Sequence, residues 1–364
     1  MADCRGSRPD SSRPEADAVG GSQDCPDDGE ASTVPAVYVD LPFWLAIVFM
    51  LGGLWLLVWS ANRFVDGAEA VARSFGVSPF IIGMVVIGFG TSAPELAVSA
   101  ISAGTGHSNL SLGNAYGSNI FNIAAILGTA AMIHPLSVKP LAAFVASPLL
   151  AGIALLSGLL VCAGGGFSRL DGVIQLATFA VLLPLYCWLD KKSKSANVSA
   201  NCVPAATRQH YWVALFGGLA LLVASSHLLV WGAVSAARSL GVSELLIGLT
   251  IVAAGTSLPE LASAIASARK GQNDFVLGNI IGSNFFNTLA VVGLSGTICP
   301  FKDVSPHVLS RDLPVMVLLS LSIGFFGINY RKPSGAGRIA SLEGAAWLLV
   351  FVGYAALLIM QEVK

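Results

Sequence analysis

Two glutamates 165 residues apart, Glu95 and Glu260, stand near the middle of apolar stretches in a chain of 364 residues. An ionised carboxylate at that depth in hydrocarbon costs about 2.5 to 3.5 kcal/mol on insertion scales. A matched pair of such groups therefore points to a cation or proton site. The plainer alternative is a pair of neutral, hydrogen-bonded acids that join helices.

The residues around them repeat as well. Gly90-Thr91-Ser92-Ala93-Pro94-Glu95-Leu96 recurs as Gly255-Thr256-Ser257-Leu258-Pro259-Glu260-Leu261, and Gly117-Ser118-Asn119-Ile120-Phe121-Asn122 recurs as Gly282-Ser283-Asn284-Phe285-Phe286-Asn287. Both pairs share the offset of 165, and segments 90–128 and 255–293 agree at 20 of 39 positions without a gap. Pro94 and Pro259 lack an amide hydrogen and clash with the carbonyl four residues back, which frees the carbonyls of Gly90 and Gly255. Thr91 and Ser92 precede Glu95 by four and three residues, as Thr256 and Ser257 precede Glu260, so helical spacing predicts their oxygens on the carboxylate's face. Ser118 and Asn122 share a face one turn apart, as do Ser283 and Asn287. Carboxylates, hydroxyls, amides and loose carbonyls with no soft ligand suit hard cations, Ca2+ and Na+ above all. Small and amide side chains also hold membrane helices together, so packing is the competing reading for the Ser and Asn positions.

These groups are carried by a chain that is 54% hydrophobic and 11% charged, with a mean hydropathy of +0.73. Soluble domains carry about a quarter charged residues. Apolar stretches of about 20 residues, enough to cross about 30 Å as helix, recur near 43–61, 79–103, 110–133, 141–163, 170–189, 211–235, 245–268, 275–298, 308–328 and 340–360. The expected fold is an all-α polytopic membrane protein of about ten transmembrane helices. An offset of five spans is odd, so the second copy enters from the other side, giving two inverted five-helix repeats with binding expected between them at the midplane. The predicted division is a disordered acidic tail over 1–41, a first membrane repeat over 42–190 (motif 88–128), a cytoplasmic linker over 191–209 and a second repeat over 210–364 (motif 253–293). The excess of Lys and Arg on one set of loops predicts both termini outside and the linker inside.

Other readings fall away. The net charge of −1 hides a tail of nine acids against three arginines, and this balance excludes a basic nucleic-acid surface as the main business. Six cysteines show no CxxC pair, so neither a zinc site nor a disulfide framework is expected. Gly88-Phe89-Gly90-Thr91-Ser92-Ala93 imitates a dinucleotide fingerprint without the surrounding soluble fold, and no HExxH, P-loop or nucleophile elbow occurs. An enzyme lacks its parts. Asp66 and Glu69, near the end of the first span, read as a solvated helix end, with ion entry or gating as the alternative.

At its paired motifs the chain resembles the cation/calcium exchanger superfamily, and is most similar to the prokaryotic sodium/calcium antiporters. The resemblance spans the membrane part and implies a transporter without a cofactor, in the cell (inner) membrane, with Ca2+ and Na+ as transported substrates and lipid as its surroundings. Carried over by position, it implies Glu95 and Glu260 as central ligands, Thr91 and Thr256 offering backbone oxygen, and Ser92, Ser257, Ser118, Ser283 and Asn122 beside them. Potassium-dependent relatives carry an acid where this chain has Asn287, which weighs against potassium cotransport. The calcium/proton branch shows a different motif, G-N-x-x-E, and fits less well. Coupling to protons or potassium, or a channel, stand as alternatives. One Ca2+ or two Na+ would neutralise the two glutamates, whereas an empty site would carry unpaired charge through low dielectric, which predicts exchange in place of leak, with spans one and six as sliding elements.

Overall fold

A computed structural model describes residues 39–104, 108–163, 166–193, 205–242, 253–301, 304–330 and 335–362. The disorder expected for the tail therefore lies, apart from Val39 and Asp40, outside the described residues. Those two are tied down: the Trp231 indole donates to the Val39 carbonyl at 2.8 Å and Arg238 pairs with Asp40 at 3.1 Å.

Hydrocarbon leaves no water for exposed peptide groups, so long apolar segments close their hydrogen bonds internally as helices. Among the described residues eight helices are long and apolar enough to cross a membrane: α1 (Phe43–Phe75), α4 (Ser111–Ile133), α5 (Ala142–Cys162), α6 (Arg169–Lys192), α7 (His210–Ser239), α10 (Asn273–Ile298), α11 (Val308–Gly327) and α12 (Ser341–Gln361). A ninth span is bent by 44° into α2 (Pro79–Thr91) and α3 (Ala93–Gly104). The expected span 245–268 contributes α8 (Ala253–Thr256) and α9 (Leu258–Arg269), its first part lying outside the described residues. Of the described cysteines, Cys162 and Cys187 are free and Cys299 is disulfide-bonded, a pairing the scattered spacing did not suggest.

Helix α10 runs through the centre, every residue from Phe275 to Val291 buried. It packs on α2 and α9, while α4 sits against α3 and α12. The outermost helices turn large apolar side chains outward, such as Leu51 and Trp55 on α1 and Leu349 and Val352 on α12. Exposed hydrophobics on that scale belong against lipid tails.

Two short pairings hold the ends of the bundle. Strand β1 (Leu136–Val138), after α4, pairs antiparallel with β2 (Gly337–Ile339), before α12, with Leu136 opposite Ile339. Between α5 and α6, Phe167 makes an isolated antiparallel bridge to Phe301, which follows α10. Phe301 stands 165 residues after Leu136, yet the two pairings lie at opposite ends of α5. The Lys139–Asp274 ion pair agrees, joining the exit of α4 to the entry of α10. Thus α4 and α10 run in opposite directions.

Helices α1 and α7 pack chiefly on one another. Close approach comes from matched glycines: a Cβ at Gly53 would lie 2.7 Å from the Leu229 nitrogen, and one at Gly218 would lie 2.7 Å from the Phe64 nitrogen. These contacts exchange places under the 165-residue offset, and between them the hydroxyls of Ser60 and Ser225 meet at 3.5 Å. Asp66 and Glu69 engage the α9–α10 connection, Asp66 with Lys270 at 2.6 Å and Glu69 with Gln272. Asp66 is half-exposed, in keeping with a solvated helix end.

Candidate functional site

Pro94 and Pro259 break their spans where their missing amide hydrogens require. Ser92 (φ −84°, ψ 3°) and Ser257 (φ −94°, ψ 8°) occupy the breaks outside helical geometry. Helices α3 and α9 start afresh, which places Glu95 and Glu260 in their first turns. There the unsatisfied amides and the positive end of the helix dipole favour a carboxylate. Both glutamates are fully buried.

The breaks also redirect the serines. Helical spacing puts Ser92 on the face of its own Glu95, but its hydroxyl donates to Glu260 Oε1 at 3.0 Å, and Ser257 donates to Glu95 Oε1 at 3.1 Å. A kinked backbone no longer obeys the three-and-four-residue rule. Each carboxylate is thus held by the other half of the chain. Thr91 and Thr256 close α2 and α8 beside the two breaks, and the Thr91 hydroxyl, with one hydrogen to give, lies 3.0 Å from the Ile87 carbonyl and 3.3 Å from Asn279 Oδ1.

The remaining predicted residues gather from α4 and α10. Ser118 meets the Ser257 hydroxyl at 3.4 Å, and Ser283 donates to the Gly88 carbonyl at 3.4 Å. Glycine makes that approach possible, since a Cβ on Gly282 would fall 2.2 Å from the Met84 carbonyl oxygen. Asn122 and Asn287 stand at or just inside the wide-turn segments Asn122–Leu127 and Phe286–Val291, local departures from α-geometry that often mark functional positions. Asn122 Nδ2 donates to Asn284 Oδ1 at 3.0 Å.

Several buried polar atoms keep no hydrogen-bond partner among the described residues: Glu95 Oε2, Glu260 Oε2, Asn122 Oδ1, and both Nδ2 and Oδ1 of Asn287. Buried polar atoms are satisfied in the great majority of cases, so a group of carboxylate and amide oxygens left open on these facing helices is a set of acceptors suited to a cation. Each glutamate contributes one oxygen fixed by a serine and one left open.

One expected oxygen is already occupied. The Gly255 carbonyl, released by Pro259, accepts from Ser226 on α7 at 2.9 Å. The corresponding position on α1 is Ala61, without a hydroxyl. Residues not foreseen as part of the surroundings are Ser226, Asn119, Asn284 and Thr288. Asn119 and Asn284 lie inside the repeated Gly-Ser-Asn motif, where repetition was the available signal; nothing in the sequence marks Ser226 or Thr288.

Comparison with known proteins agrees with this architecture. Residues 44–188 and 210–360 match the family model described as sodium/calcium exchanger protein. The CaxA protein of Alkalimonas amylolytica is 42% identical over 319 residues, covering 86% of this chain and 98% of that protein. The inner membrane protein YrbG of Escherichia coli is 37% identical over 84% of this chain and 96% of its own length. A solved structure of the sodium-calcium exchanger NCX_Mj, soaked with 10 mM Na+ and zero Ca2+, matches with a TM-score of 0.76 at 30% identity, over 86% of this chain and 99% of that one. With two glutamates crossed between halves of a multi-pass helical bundle and a family match over nearly all of it, this chain is a transporter and not an enzyme, and it belongs to the sodium/calcium exchanger family.

Proposed function

We propose that the protein is a secondary antiporter of the cell's inner membrane that exchanges Ca2+ for Na+ by alternating access, with Glu95 and Glu260 as its central ligands. The observation that carries this reading is the crossed arrangement of Ser92 on Glu260 and Ser257 on Glu95, which leaves one oxygen of each buried carboxylate unpartnered among the described residues. The two acids supply charge for one Ca2+ or two Na+, and Asn122 and Asn287 lend amide oxygens without adding charge. Thr91, Thr256, Ser118 and Ser283 complete the ligand set through hydroxyl or backbone oxygen, while Ser92 and Ser257 fix the carboxylates as well as facing the ion. An all-oxygen set of this kind matches the hard cations.

Exchange follows from charge balance. Two unpaired carboxylates in a low-dielectric centre are strongly unfavourable, and a bound cation relieves this. A loaded site therefore changes sides more readily than an empty one, and each crossing carries an ion. The two halves act as inverted repeats about this centre, with support from the opposed directions of α4 and α10 and the reciprocal packing of α1 and α7.

The test is 45Ca uptake into reconstituted vesicles, with and without internal Na+. Uptake dependent on internal Na+, and absent from a folded Glu95→Gln variant, supports the proposal. Uptake driven by a pH or K+ gradient alone would assign a different coupling ion, flux without a counter-ion would indicate a channel, and full flux in Glu95→Gln would remove the ligand assignment.

A further inference from the structure

The asparagines of the two Gly-Ser-Asn motifs are not used symmetrically. Asn122 Nδ2 donates to Asn284 Oδ1 at 3.0 Å, and Asn284 Nδ2 donates to the Asn119 carbonyl at 3.4 Å. Applying the 165-residue offset to these bonds gives Asn287 Nδ2 donating to Asn119 Oδ1, and Asn119 Nδ2 donating to the Asn284 carbonyl. Neither is made. Asn119 Oδ1 and both amide atoms of Asn287 are buried and without partners among the described residues. Asn119 instead gives its Nδ2 to the Thr288 hydroxyl at 2.7 Å, with Met316 Sδ at 3.3 Å. The counterpart of Thr288 in the first half is Ile123, which has no side-chain acceptor. The Thr288 hydroxyl, with Met316 Sδ, thus engages the one amide whose Oδ1 could tether Asn287 as Asn284 tethers Asn122.

We propose that Thr288 is a positioning residue which, by holding the Asn119 amide, leaves Asn287 as a loose ligand opposite the braced ligand Asn122. The inference rests on the reading of Asn122 and Asn287 as ligands. A braced amide pays less ordering entropy when an ion arrives, so it binds more tightly; a loose one lets the ion go. Thr288 thus weakens the site on the α10 side and speeds release. Its own hydroxyl does not touch the ion.

The experiment measures Na+-dependent 45Ca uptake by the full-length protein in phosphatidylethanolamine/phosphatidylglycerol vesicles. Thr288→Val removes the hydroxyl at nearly constant volume, releasing Asn119 Nδ2 so that the amide can turn its Oδ1 to accept from Asn287. The half-saturating Ca2+ concentration should fall about fivefold, the worth of one neutral hydrogen bond, and the maximal rate should fall with it. Thr288→Ser should behave as the unmodified protein. Thr288→Ala makes the same deletion should the valine variant fail to fold. In an Asn119→Ala background Thr288→Val should shift nothing, because the alternative acceptor is gone. An unchanged or raised half-saturation in folded Thr288→Val or Thr288→Ala, or the same shift without Asn119, overturns the inference. If Glu95→Gln is inactive while Thr288→Val is unshifted, only this inference fails. Activity in Glu95→Gln would instead remove the ligand reading beneath it.

Discussion

The Ser92 hydroxyl reaches Glu260, 168 residues away, at 3.0 Å, and not the Glu95 three residues along its own chain. With its counterpart from Ser257 to Glu95, this makes each buried acid dependent on the opposite half for its orientation. A hydrogen bond to a charged group contributes about 1.5 to 3 kcal/mol.

Ser92→Ala and Ser257→Ala should therefore each raise the half-saturating Ca2+ concentration by about tenfold or more, with little change in detergent-extracted yield. Uptake kinetics on the two single variants and the double variant check this. Similar losses for the two singles would follow from the reciprocal geometry, whereas an effect confined to one would show that the halves are not equivalent.

Ser226→Ala should lower thermal stability. It strips the Gly255 carbonyl of its donor at the point where Pro259 has already removed the helical one. An orphaned buried acceptor costs about 1 to 3 kcal/mol, to be read as an earlier unfolding transition of the purified protein. Ala61→Val, at the corresponding place on α1, breaks no such bond and should leave the Gly255 contact intact.

Neighbouring glycines on α1 should respond in opposite ways. Gly53→Ala puts a methyl group 2.7 Å from the Leu229 backbone nitrogen and must push α1 and α7 apart, while Gly52 has nothing within 4 Å of a Cβ. Gly53→Ala is expected to destabilise by about 1 to 3 kcal/mol, as overpacking does, and Gly52→Ala to be neutral or slightly stabilising through helix propensity. Thermal unfolding of the two variants in one detergent compares them directly.

Asp312→Ala should be more damaging than most substitutions at the end of a span. Asp312 is buried, accepts from Arg311 at 2.6 and 3.1 Å and from the Tyr354 hydroxyl at 2.9 Å. Removing one partner of a buried ion pair costs about 3 to 5 kcal/mol, and because Arg311 is partly exposed the lower end applies. Asp312→Asn keeps an acceptor for Tyr354 and should lose less; loss of folded yield and unfolding temperature report the order.

The helices and the two central glutamates were readable because both signals are repetitive. Spanning length recurs along the chain, and Glu95 and Glu260 carry the same neighbours at one offset. What helical periodicity misassigned was the partner of each serine, since the rule that places Ser92 beside Glu95 assumes an unbroken helix and Pro94 breaks it. The same proline correctly signalled a freed carbonyl, but the donor that Gly255 finds lies 29 residues back on α7, a tertiary fact with no local trace. Asn119 lies inside its repeated motif, but a face drawn from Ser118 to Asn122 skips the residue between. Thr288 carried no signal, since its significance is a difference from Ile123, and repeats direct attention to what agrees.

The strand pair Leu136–Ile339 and the bridge Phe167–Phe301 stitch the connections of one half to those of the other at both rims of the bundle. The boundary between rigid bodies therefore need not follow the midpoint of the gene. Both halves are stapled together around α4 and α10, while α1 and α7, one from each half, pack chiefly on each other; under the exchange proposed above, that pair would be the carriage and the stapled helices its chassis.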